Sequence, residues 1–95
     1  MHNRWIHKET DDYLMELERA PDGNLFIHVS VHKWTPRVYR ELIDEWVKLE
    51  GMLRDSDEGI IYGILPSKNE EFALMFGWTL HGKRNGFTLV SKEII

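Results

Sequence analysis

The sequence has no cysteine, so disulfides and thiolate chemistry are excluded, and any metal site must do without sulfur ligands. No apolar run approaches the roughly 20 residues that a membrane-spanning helix needs. The opening stretch Met1-His2-Asn3-Arg4-Trp5-Ile6-His7-Lys8 has no apolar core of signal-peptide length. These absences predict a protein of a cytoplasm, or of a particle assembled in one. Basic residues are outnumbered, 12 lysines and arginines against 16 aspartates and glutamates. The net charge of −4 argues against a dominant nucleic-acid surface. There are no internal repeats and no low-complexity segments.

What is present is the composition of one soluble globular domain: 95 residues, 42% hydrophobic and 29% charged. A chain of this size buries roughly 60–70% of its unfolded surface, enough for a modest core. Four tryptophans are many for this length and are large enough to carry much of a core or an interface.

Residues 1–12 read as a polar arm that Trp5 and Ile6 pin to the body, followed by a single domain over residues 13–95. Two strands follow the arm. Tyr13, Met15 and Leu17 share one face, with Leu14, Glu16 and Glu18 on the other. Leu25 to Val31 alternates in the same way, and Pro21-Asp22-Gly23-Asn24 supplies the turn of an antiparallel hairpin. A long helix follows, from Pro36 to about Arg54. Thr35 is a good N-cap, and Pro36 at the first helical position loses no bond by lacking an N–H. Leu42, Ile43, Trp46, Val47, Leu49 and Leu53 fall near helical spacing. Arg37/Glu41, Arg40/Asp44 and Asp44/Lys48 are pairs at four-residue spacing, and Gly51 marks a weak point or the end of the regular helix.

After the acidic loop Asp55-Ser56-Asp57-Glu58-Gly59, the run Ile60 to Leu65 is almost wholly apolar. That pattern suits a strand buried on both faces and parallel to its predecessor. Ser67 to Glu70 reads as a capping box for a short apolar helix that Gly77 ends. A closing hairpin has its tip at Gly82 to Gly86, with Trp78 and Phe87 expected to pair across it in the core. The expected fold is α+β with a mixed sheet, in the sequence order ββαβαββ, with one long and one short helix.

This order, and above all its end, carries a resemblance: a buried strand, Pro66-Ser67-Lys68-Asn69, a short helix, Gly77-Trp78, then a hairpin. It resembles the central and C-terminal part of the GCN5-related N-acetyltransferase (GNAT) superfamily. It is also similar to small GNAT-like proteins of tailed phages, including an internal virion protein. The resemblance covers about Tyr13 to Ile94. It implies an acyl-CoA-dependent N-acetyltransferase fold with acetyl-CoA as cofactor.

The departures are specific. The family's Gly-rich Arg/Gln-x-x-Gly-x-Gly/Ala turn lets backbone N–H groups at a helix N-terminus reach pyrophosphate. Here the turn reads His32-Lys33-Trp34-Thr35-Pro36-Arg37, without glycine, so Lys33, Thr35 and Arg37 are the groups left to hold phosphate. The family's general-acid tyrosine falls near Ala73 and its asparagine near Pro66.

Two functions follow. The first is a GNAT-like scaffold, implied by the resemblance to be phage-encoded, that binds a protein partner or itself as a dimer, without a cofactor. The second is an acyl-CoA-dependent N-acetyltransferase with an atypical pyrophosphate loop. Catalytic candidates are Glu16 and His28, which a proton-transferring base requires. Partner-binding candidates are Trp34, as an exposed aromatic anchor before a helix, and Lys83 with Arg84 at the hairpin tip. His28 and His32 are about 13 Å apart along a strand at ~3.3 Å per residue, too far to share one metal ion, so no metal is expected.

Overall fold

The computed structural model describes residues 3–94; Met1, His2 and Ile95, which the sequence reading assigned to the arm and to the domain's end, lie outside the described residues. Its elements are β1 (Asn3–Glu9), β2 (Tyr13–Arg19), β3 (Leu25–Val31), α1 (Pro36–Asp55), β4 (Ile60–Pro66), a 3₁₀ turn (Ser67–Asn69), α2 (Glu70–Met75), β5 (Thr79–Arg84) and β6 (Phe87–Glu93). The result is an α+β fold built on a mixed six-stranded sheet of order β1-β2-β3-β4-β6-β5. Among the described strands only β3 and β4 run parallel, as the crossover through α1 dictates.

Local chemistry explains α1. Thr35 has extended backbone, and its Oγ1 accepts a hydrogen bond from the Val38 N–H at 3.1 Å, with Pro36 in the first turn. Val38, Leu42, Leu49 and Leu53 are buried against Tyr13, Met15, Leu17, Leu25, Ile27 and Ile61 of the sheet. Burial of side chains of this size contributes ~1.5–3 kcal/mol each. Gly51 neither ends nor breaks the helix, which continues to Asp55. Packing through Leu49 and Leu53 on either side outweighs the ~1 kcal/mol that a mid-helix glycine costs. Of the expected pairs on the outer face, Arg37 reaches Glu41 at 2.9 Å, whereas Lys48 reaches Glu45 instead of Asp44.

The sheet has one covered face. Tyr39 of α1 stacks edge-on to Phe72 of α2, so both helices lie on the same side. The opposite face carries the ion pair Arg4–Glu16, the His28–Glu18 bond and the Phe26–Tyr62 ring contact.

Several expectations need correction. Asn3 to Glu9 is not a loose arm but an edge strand paired antiparallel to β2, with a bulge between Ile6 and Lys8. Its outward polar residues hide the alternation that marks an interior strand. β4 is not buried on both faces: Ile64 is 50% exposed, because no helix covers that side. The capping box does not form. Ser67 opens a 3₁₀ turn with no side-chain cap, and Thr88 of β6 captures both partners. Thr88 donates to Glu70 Oε2 at 2.5 Å, and Ser67 Oγ bonds Thr88 Oγ1 at 2.8 Å. The β5–β6 tip is the tight pair Asn85-Gly86, both at positive φ, not the longer span from Gly82. Trp78 and Phe87 do not pair. Trp78 packs on Trp46 at 5.3 Å, while Phe87 sits opposite Arg84 and is 51% exposed.

Among the described residues, no helix is long and apolar enough to cross a membrane.

Candidate functional site

β3 and β4 start together and then part. Their register joins Phe26 to Tyr62 and Ile27 to Gly63, and no pair joins them beyond that point. Each stays paired on its other side: β3 with β2 as far as Val31, and β4 with β6 as far as Pro66. The gap opens toward the carboxyl ends of two parallel strands, a common place for a ligand crevice in sheets with helical crossovers.

A cleft of about 920 Å³ fills this gap and the space above it. Ile27, Gly63 and Val90 form its floor, α1 contributes Tyr39, Ile43 and Trp46, α2 contributes Phe72, and Phe76 follows at the C-terminal cap of α2. Its size is at the upper end of the range usual for small-molecule sites. The exposure of Val29 marks where the core ends. Alternation with buried Ile27 directs Val29 to the helix side, yet it is 47% exposed because nothing fills the cleft above it. Gly63 sits at the apex, where an added Cβ would meet Val90 Cγ2 at 3.4 Å and Ile27 Cγ2 at 3.6 Å.

Trp34 is 56% exposed, as its position in the loop before α1 predicts. It reaches from the β3–α1 turn to α2, where its ring meets Phe72 edge-on with centroids 6.1 Å apart. Phe72 also meets Tyr39 at 5.6 Å and Phe76 at 4.9 Å. This aromatic wall was legible only in part: Phe72 and Phe76 show helical spacing, but their junction with Trp34 and Tyr39 is long-range.

The proposed phosphate-holding groups are already engaged. Thr35 Oγ1 accepts from Val38, and the Thr35 carbonyl accepts from the Tyr39 N–H. Pro36 offers no N–H. Arg37 donates to Asp12 at 2.6 Å and to Glu41 at 2.9 Å, and the Asp12 bond leads in holding its guanidinium pKa above the ordinary arginine value. Of the residues expected to hold phosphate, only Lys33 makes no hydrogen bond or ion pair among the described residues. An acyl-CoA pyrophosphate therefore lacks a ready cradle at the start of α1, and the residues there do not fit that cofactor.

The catalytic candidates lie elsewhere. Met15 and Leu17 point into the core, so Glu16 between them points to the uncovered face. There Arg4 donates to it at 3.0 and 3.1 Å, which holds its carboxyl below the usual range. His28 faces the same way and bonds Glu18 at 2.7 Å. Neither lines the cleft. The buried residue of α2 is Ala73, where the resemblance puts a general-acid tyrosine, and Tyr39 of α1 is the tyrosine that borders the cleft. Lys83 and Arg84 lie at the end of β5, where Lys83 reaches Glu70 at 3.4 Å. Among the described residues, no group of three or more histidine, aspartate or glutamate side chains is arranged to hold a metal ion.

Compared with known proteins, the chain matches no family model, no curated protein and no solved structure.

Proposed function

We propose that this chain is a small GNAT-like scaffold that acts by binding a protein partner, not by acyl transfer. The resemblance of Tyr13 to Ile94 to small GNAT-like proteins of tailed phages extends this to a virion component or a host-interaction protein. The observation that carries the reading is the contrast within one site. The cleft at the parted strands is open and rimmed by exposed Trp34 and Val29, while Thr35 and Arg37 are tied up in the fold. Exposed aromatics beside an apolar groove are the usual anchors of protein recognition. A carboxylate or imidazole suited to proton transfer is missing from the described cleft lining.

The second reading, an acyl-CoA-dependent N-acetyltransferase, has one observation in its favour. A gap between parallel strands suits an extended, amide-bearing chain such as the pantetheine arm. Calorimetric titration of acetyl-CoA and of CoA, with an Arg37→Glu variant alongside, separates the two. The scaffold reading expects no heat from either ligand. Binding that the variant loses would overturn it in favour of acyl transfer.

A further inference from the structure

We infer that the cleft accepts an extended apolar segment of a partner protein, inserted between β3 and β4, with one acidic side chain placed against Lys68 at the mouth. This rests on the scaffold reading and names the chemistry of the partner.

The strand edges come first. Past Ile27 and Gly63, β3 and β4 keep their outer partners and lose each other. Each strand therefore turns a row of backbone donors and acceptors toward the gap. Backbone groups facing an apolar space demand partners, and an inserted strand supplies N–H and C=O groups in the matching alternation. A hydrocarbon chain has neither. Four residues of β3 and three of β4 are parted, so the inserted portion spans ~10–13 Å at ~3.3 Å per residue.

The lining sets the side chains. Val29, Phe72 and Phe76 present apolar surface, so an extended segment would turn alternate apolar residues toward them. Charge then sets the end. Lys68 is the single charged residue among the described lining, it is exposed, and it makes no ion pair among the described residues. Lys33, which also makes no ion pair among the described residues, follows two residues after the end of β3. In a chain of net charge −4, an unmatched ammonium on an apolar groove selects a carboxylate over a neutral or basic residue.

The test uses the intact chain and its own tryptophan emission, since Trp34, Trp46 and Trp78 all border the cleft. The probe is a capped peptide of four alternating valine and leucine residues followed by aspartate. Three comparison probes are its asparagine analogue, a version with a central proline, and laurate. The aspartate peptide is expected to shift the emission saturably, with the asparagine analogue about tenfold weaker and the proline version silent. Lys68→Glu should weaken the aspartate peptide and leave the asparagine analogue unchanged, a pattern that general loss of fold would not produce. Equal binding of the aspartate and asparagine peptides, or laurate binding as tightly as the peptide, overturns the inference. Silence of all peptides to millimolar concentration, without acetyl-CoA turnover, overturns it too and leaves the scaffold reading standing. Turnover of acetyl-CoA overturns the scaffold reading itself.

Discussion

The two ends of the central strand pair behave differently. At the end where Phe26 meets Tyr62 and Ile27 meets Gly63, β3 and β4 are joined, and α1 closes over them through Leu49 and Leu53. At the other end the same two strands separate, and α1 and α2 line a gap with aromatic rings in place of interlocked aliphatic side chains. The first end is built for stability: Leu49 is 1% exposed and belongs to the buried cluster with Leu17, Leu25 and Leu53. The second keeps apolar surface in contact with solvent, which a fold retains at a cost in stability unless something else covers it. One sheet thus has an end packed on itself and an end that stays open to solvent.

That contrast can be broken experimentally. The largest effect is expected at the closed end. Leu49→Ala should lower stability by about 2–5 kcal/mol in chemical denaturation, because a nearly fully buried leucine loses its apolar contacts and leaves a cavity. Thr35→Ala removes the bond to the Val38 N–H and should cost about 1 kcal/mol, with Thr35→Ser close to wild type. At the open end, Trp34→Ala should cost no more than about 1 kcal/mol, since it loses an edge contact to Phe72 and little burial. A Trp34→Ala cost matching that of Leu49→Ala would mean that the cleft is closed in solution and that Trp34 is core.

The smallest effect sharpens the comparison through pH. Glu16 and Glu70 are both held below the usual carboxylate range, Glu16 first by Arg4 and Glu70 first by Thr88. A depressed carboxylate contributes stability that is present above its unfolded pKa and lost as pH falls through its folded one. Glu16→Gln and Glu70→Gln should therefore flatten the loss of stability between about pH 5 and pH 3 and leave the alkaline side unchanged. Because the Arg4–Glu16 pair is solvent-facing, added salt should shrink its share.

Sequence reading reached the β2–β3 hairpin and α1 nearly residue by residue, because their signals are short-range. Alternation in Tyr13, Met15 and Leu17, the turn at Pro21 to Asn24, and the Thr35-Pro36 start each depend on a few adjacent residues. β1 escaped notice because an edge strand needs no buried face of its own and borrows its ladder from β2. Ser67 and Glu70 have the spacing of a capping box, but Thr88, about twenty residues on, outcompetes the helix N-terminus for both side chains. Trp34 was legible as an exposed aromatic, yet its contact with Phe72 was not, since nothing local relates residues so far apart. Glu16 and His28 were legible as polar strand residues, and only the helix-free side of the sheet shows that they stand away from the cleft.

By itself, then, the amino-acid order determined the helices and the strands from β2 onward, how α1 begins, and that Trp34 is exposed. Those outcomes follow from periodicity, capping and turn chemistry acting over a few residues. The tertiary structure alone decided that β3 and β4 part after two joined positions, that Arg37 is spent on Asp12, and that an apolar cleft with a lone lysine remains. Each of these depends on side chains brought together across the fold, where competition for space and for hydrogen-bond partners has no counterpart in local sequence.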